Sequence, residues 1–302
     1  MSYSRLSHFF IGIILLGVLS GEIVSKPIKI VAITEDFASI AKDIGGDLVD
    51  VSSLIKGSRN LHHINPKPSM VMKVKSADLL IRLGMQQDSW IDSLIHVARN
   101  SRVFPNQNGY LDASHGIQKL EVPTEKLSGQ LGDVHKHGNP HYWLDPENGK
   151  HIAKKIRDHL KQIDQNNKDV YDKNYMVFRD KLDEKIKEWQ DMVKPLSRFQ
   201  IVTYHKVWSY FFEAFNLNGV GELETLPGIP PTTRHLVKLK SIIENSNKPK
   251  LVISASYYPR DIGQSFAKDI DGHFEVIPAN VGESGISSYV ELFDFIIVKL
   301  TK

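Results

Sequence analysis

From Pro27 onward, short apolar runs alternate with stretches whose apolar positions recur every three or four residues. Ile28 to Ile33 is the first run, and Asp36 to Gly45 has helical spacing stopped by Gly45-Gly46. A second run, Leu48 to Ile55, follows, and Pro68-Ser69 opens a helix through Ala77. Asp78 to Leu83 reads as a buried strand ending at Gly84, Trp90 to Arg99 as a helix, and Ser101 to Phe104 as a further short strand. Strands that alternate with helices pair in parallel, because only a crossover returns the chain in the same direction. An α/β lobe is the expectation.

The middle of the chain changes character. After Gly149 and up to Val193 there is almost no Gly or Pro, and Tyr171, Tyr175, Phe178, Leu182, Ile186 and Trp189 recur at spacings of three and four. This is an amphipathic helical region, broken between Asp164 and Lys168, whose second helix would be ~35 Å long at ~1.5 Å per residue. After Pro195 the alternation restarts: strands at Gln200 to Tyr204, Val220 to Leu223, Lys250 to Ser254 and Phe274 to Ile277. Helices are expected at Ser209 to Phe215, after Pro230-Pro231-Thr232, around Asp261 to Asp269, and from Ser287 onward. The division read from this is 26–150 for a first α/β lobe, 151–195 for the helical region and 196–302 for a second lobe of the same kind.

Residues 1–25 change the picture of where the protein works. Arg5, an apolar stretch from Phe9 to Leu19, and small residues at Ser20, Gly21 and Ser25 read as a signal peptide. The stretch is too short for a spanning helix, which needs ~20 apolar residues. Secretion without a membrane anchor is expected. The chain of 302 residues has 41 % hydrophobic residues, enough for two packed cores. Its net charge of +3, with both signs interspersed, excludes a nucleic-acid footprint. With no cysteine, there is no disulfide, thiolate zinc site, thiol nucleophile or lipid-bearing residue after the signal. A borderline metal such as Zn²⁺ would have to be held by carboxylates and by some of the 13 histidines.

Those histidines concentrate in three places. His62 and His63 follow the second strand, His135, His137 and His141 share a Gly- and Pro-bearing loop, and His205 follows the first strand of the second lobe. Ligands of open α/β sheets bind at the carboxyl ends of strands, where two of these three places fall. Spacing alone leaves a metal site and hydrogen-bonded loop histidines about equally supported.

Four segments carry a resemblance that decides between them. They are His62 to Ser69 with its Pro66-Lys67-Pro68-Ser69 ending, Ser76-Ala77-Asp78-Leu79-Leu80, Gly138-Asn139-Pro140-His141-Tyr142-Trp143-Leu144-Asp145-Pro146, and Thr203-Tyr204-His205-Lys206. Together, and in this order over nearly the whole mature chain, they resemble the zinc- and manganese-binding receptors of bacterial metal ABC importers, the cluster A-I type. The resemblance implies two α/β lobes with parallel-rich sheets joined by one long rigid α-helix, and a metal cleft between the lobes. It implies His62, His141 and His205 as ligands to a divalent ion, Zn²⁺ with Mn²⁺ as the alternative. It also implies a periplasmic, non-enzymatic, monomeric receptor whose partners are a membrane permease and its ATPase subunit.

The chain departs from that pattern in three places. Asn60-Leu61 stands where the family has Asp-Pro before the first histidine, and the neighbouring His63 offers a second register. The family's long His-rich loop is reduced to Asp133, His135 and His137, and Ile277-Pro278-Ala279-Asn280 lacks the carboxylate that many relatives carry after the last strand. The fourth ligand is therefore open among Glu224, which is preferred, Asn280, His63 and water. Trp143 and Tyr257-Tyr258 read as core or cleft wall, and Asp145 as a helix cap ahead of a partner to a ligating imidazole. A three-His zinc hydrolase is the rival reading, weakened by the absence of His-Glu-x-x-His and Gly-x-Ser-x-Gly. A secreted adhesin is the third.

Overall fold

The computed structural model describes residues 26–57, 59–62, 64–123, 136–225 and 228–302. The leader expected at 1–25, His63, Asp133 and His135 lie outside these residues. The first half forms β1 (Ile28–Ala32), α1 (Glu35–Gly45), β2 (Val49–Ser53), α2 (Pro68–Ser76), β3 (Leu79–Arg82), α3 (Trp90–Ala98) and β4 (Tyr110–Asp112). Its four strands are parallel in the order β2-β1-β3-β4. Then come α4 (Pro146–Ile163) and α5 (Lys168–Val193). The second half forms β5 (Gln200–Thr203), α6 (Ser209–Ala214), β6 (Gly219–Glu222), α7 (Thr233–Glu244), β7 (Lys250–Ala255), α8 (Arg260–Asp269), β8 (His273–Ile277) and α9 (Tyr289–Thr301). Its order, β6-β5-β7-β8, repeats that of the first sheet, again all parallel.

The helices form where the pattern asks for them. Thr34 caps α1 by accepting from the Phe37 N–H, acidic Glu35 and Asp36 face the positive end of the helix dipole, and Phe37, Ile40, Ala41 and Ile44 make one buried stripe. In α4, Asp145 accepts from the Glu147 N–H at 2.8 Å with Pro146 in the first turn, the capping role expected of it. The 26 residues of α5 span about 39 Å at 1.5 Å per residue, and its buried stripe is Tyr171, Phe178, Leu182, Ile186, Trp189 and Val193. That stripe packs α5 against α1 of the first half and against α9, so one helix braces both ends of the chain. The break before α5 is held by Asp164, which accepts from Asn167 and from the Tyr171 hydroxyl.

One predicted strand is not a strand. Ser101 to Phe104 contains a short 3₁₀ turn, and the fourth strand of the sheet is β4, at 110–112. Asn100 is the cause: its side-chain amide donates to the Val74 and Ala77 carbonyls while its oxygen accepts from the Arg102 N–H, which turns the chain locally. Pro105 cannot donate to a ladder, and three residues are too few for β4 to print a period of two. Among the described residues no helix is long and apolar enough to cross a membrane.

The two halves are tied by largely buried hydrogen bonds. The Trp143 indole donates to the Ala279 carbonyl at 3.0 Å, the Val281 N–H to Asp36 at 2.9 Å, and the Tyr289 N–H to Ser39 at 3.0 Å. These contacts leave the carboxyl ends of both sheets converging on one region.

Candidate metal centre

Three loops bring the histidines together. His62 lies beyond the carboxyl end of β2, His141 opens the 3₁₀ turn at 142–144 ahead of α4, and His205 follows β5 after Tyr204. Two of them are presented by the same local device. Asn60 accepts from the His62 N–H at 2.9 Å, and Asn139 accepts from the His141 N–H at 2.9 Å. An asparagine two residues ahead turns the backbone and fixes the direction of the following side chain. Asn60 thus performs in this chain the turn that an aspartate at that position can make, so the departure from Asp-Pro at 60–61 leaves the turn intact.

The imidazole centroids are 5.6 Å apart for His62 and His141, 5.1 Å for His62 and His205, and 6.0 Å for His141 and His205. One ring nitrogen from each lies within 4.8 Å of the other two. Metal–nitrogen bonds of about 2.05 Å in a tetrahedron put nitrogens ~3.4 Å apart, a spacing that small ring rotations would reach. No other group of ligand-capable side chains of this kind is found among the described residues, and His137 does not belong to it. His141 and His205 are almost fully buried and His62 half-buried. Trp143, a core residue, packs against the His141 ring and Tyr258 against the His205 ring, in line with the core or cleft-wall roles expected of them.

The surroundings differ from ring to ring. The Glu224 carboxylate lies 2.9 Å from His205 Nδ1, and its other oxygen accepts from the Gly228 N–H at 2.6 Å. Backbone pairing sets this contact, since the Glu224 N–H donates to the Tyr204 carbonyl just before His205. Burial lowers the pKa of His205 below its ordinary value against the opposing pull of Glu224, which keeps the imidazole neutral and able to ligate. The Gln87 amide nitrogen stands 3.1 Å from His62 Nδ1. Asn280 is turned toward the junction of the halves, its amide nitrogen donating to the Gly57 carbonyl and to Glu283.

Two residues of this neighbourhood escaped the sequence reading. Asn139 donates from one amide to the Lys206 carbonyl at 2.7 Å, to Ser209 and to Glu121, which fastens the His141 turn to the segment after His205. Gln87 was hidden in an ordinary polar stretch. The Asn-Pro-His spelling could have suggested the first, since Asn ahead of Pro favours a turn.

Comparison with known proteins places these features in a family. A family profile described as the periplasmic component A of the zinc-uptake complex, ZnuA, matches residues 30–302. The manganese ABC transporter substrate-binding lipoprotein PsaA of Streptococcus pneumoniae is 26 % identical over 310 residues, covering 97 % of this chain and 96 % of its own length. The metal ABC transporter substrate-binding lipoprotein FimA of Streptococcus parasanguinis is 28 % identical over 280 residues, covering 88 % and 85 %. A crystal structure of ZnuA shares the fold with a TM-score of 0.75 at 22 % identity, over 91 % of this chain and 98 % of the other. The cadmium-bound periplasmic metal-binding protein of Candidatus Liberibacter asiaticus does so with a TM-score of 0.74 at 16 % identity, over the same shares of the two chains. With a profile match across nearly the whole described chain, this protein belongs to the ZnuA family, whose members are substrate-binding receptors of metal ABC importers and not enzymes.

Proposed function

We propose that this protein is an extracytoplasmic receptor that captures one divalent transition-metal ion on His62, His141 and His205 and delivers it to a membrane permease driven by an ATPase. The observation that carries the reading is the convergence of three imidazoles from both halves of the chain, with ligand nitrogens within 4.8 Å of one another. Zn²⁺ is the proposed cargo. Imidazole suits Zn²⁺, whereas Mn²⁺ favours carboxylate oxygen, and Ala279-Asn280 follow the last strand where an aspartate would supply one. Relatives named for manganese and for zinc both exist, so the donor set of this chain and not the likeness supports the choice.

Glu224 works best from behind the site. A carboxylate that accepts the Nδ1–H of His205 fixes the ring's tautomer, raises its basicity and leaves Nε2 for the ion. The fourth position then goes to water, which suits a receptor that must also release its cargo. The leader expected at 1–25 and the match to a family described as periplasmic support a location outside the cytoplasm, in a chain without a cysteine to lipidate. A monomer is proposed. The test is competition of the purified protein against a chromophoric chelator with Zn²⁺ and Mn²⁺ in turn. Zn²⁺ held at least a hundredfold tighter, at one ion per chain, supports the cargo, and preference for Mn²⁺ overturns it.

A further inference from the structure

The loop after β3 is built in an unusual way for a stretch with no regular structure. Gly84 has φ of 79°, and the two residues after it, Met85 and Gln86, are also left-handed, with φ of 53° and 59°. The Gln87 N–H closes the turn on the Gly84 carbonyl at 3.0 Å. Left-handed backbone costs a non-glycine residue of order 1 kcal/mol, and turns of this hand ordinarily use Gly or Asn at these two positions. A side chain at Gly84 would run into Asp112 and Ser114, so the turn is also pinned against β4.

What holds the turn is buried charge. Asp88 accepts from Arg82 at 2.9 Å and from the Leu83 N–H at 2.7 Å, while Arg82 also reaches Asp92 and the Tyr110 hydroxyl. Arg82 and Asp88 are both buried, and a buried pair of this kind fixes geometry more than it adds stability. Strain of this sort persists where the surroundings over-determine a functional position. The side chain it delivers is Gln87, whose amide stands 3.1 Å from His62 Nδ1.

We infer that Gln87 is a positioning residue for His62: it holds the Nδ1 edge of the ring, so that Nε2 is the nitrogen turned to the ion. The inference rests on the three-histidine reading of the site. A ligating imidazole that binds through Nε2 carries its proton on Nδ1 and needs an acceptor there. A glutamine side chain supplies one through Oε1: the amide nitrogen Nε2 is the end placed against Nδ1 here, and a half-turn of the amide exchanges it for Oε1 at the same place. Glu224 serves His205 in the same way from the other half, with a carboxylate in place of an amide. The two sheets thus contribute matching outer supports, Gln87 after β3 and Glu224 after β6, around ligands that follow β2 and β5.

The test is Zn²⁺ affinity by chelator competition, with imidazole ¹⁵N shifts reporting the His62 tautomer, on the wild type, Gln87→Met, Gln87→Glu, His62→Ala and the Gln87→Met/His62→Ala double variant. Gln87→Met keeps the length of the side chain and removes the acceptor; Gln87→Glu restores an acceptor. The expected result is a loss of about ten- to a hundredfold in Gln87→Met with a mixed His62 tautomer. Gln87→Glu should return to within a few-fold of wild type, and Gln87→Met should add nothing once His62 is gone. Gln87→Met binding like wild type, Gln87→Glu as weak as Gln87→Met, or additive losses in the double variant would each overturn the inference alone. A wild type without zinc binding, or His62→Ala binding like wild type, would overturn the three-histidine reading and this inference with it.

Discussion

Replacing Glu224 with glutamine separates a supporting role from direct ligation. In the structure one carboxylate oxygen lies 2.9 Å from His205 Nδ1 and the other accepts the Gly228 N–H at 2.6 Å. A carboxamide has one oxygen and one NH₂ group. In either orientation it meets one of these two donors with a donor of its own, in a place where Glu224 is only 7 % exposed. Losing the outer partner of a ligating imidazole lowers metal affinity by about 10- to 100-fold, or ~1.4 to 2.7 kcal/mol. Losing a ligand outright costs far more. Chelator competition at pH 7.5, on Glu224→Gln beside His205→Ala, distinguishes the two. Glu224→Gln should weaken Zn²⁺ binding within that range while stoichiometry stays at one, with the larger loss in His205→Ala. Unchanged affinity would refute the supporting role, and a loss equal to that of His205→Ala would make Glu224 a ligand.

Two other perturbations probe the frame that holds the site. Burial raises Asp36 from 3.8 to about 7, so the folded chain keeps a proton that the unfolded chain gives up between those values, and stability from this group falls as pH rises from ~4 to ~7. Asp36→Asn retains the acceptor for the Val281 N–H and removes that loss; its thermal midpoint should match wild type at pH 4 and exceed it at pH 8, by up to about 4 kcal/mol in unfolding free energy. Asn139→Ala removes the donor to Lys206, Ser209 and Glu121 and the acceptor for His141, and should destabilise by about 2 to 4 kcal/mol in urea titration and weaken Zn²⁺ binding with it, whereas Asn60→Ala, which removes the acceptor for the His62 N–H and a side-chain bond to Tyr258, should cost about 1 to 2 kcal/mol.

How far the chain could be read in advance varied with the physics of each part. The parallel strands and the helices of both halves were legible because burial on one or both faces forces an apolar period, as in Leu79 to Arg82 and in the stripe from Tyr171 to Trp189. The strand at 110–112 was not, because three residues carry no period, and the turn at 101–103 is set by the hydrogen bonds of one buried side chain, Asn100. The histidines were legible as types, two of the three places at strand ends and the third in a loop. Their meeting was not, since it depends on how two lobes and three loops converge. The outer supports were the least visible: Glu224 next to His205 follows from strand register, and Gln87 next to His62 from a left-handed turn held by Arg82 and Asp88. Neither relation has a spacing that a linear chain displays.

The central claim is tested most directly by counting metal on the purified protein, comparing the wild type with His141→Ala/His205→Ala after Zn²⁺ loading and removal of unbound ion. The account predicts one tightly held Zn²⁺ per chain for the wild type and none retained by the double variant, with both still folded by circular dichroism. A double variant that keeps its ion at wild-type affinity would contradict it.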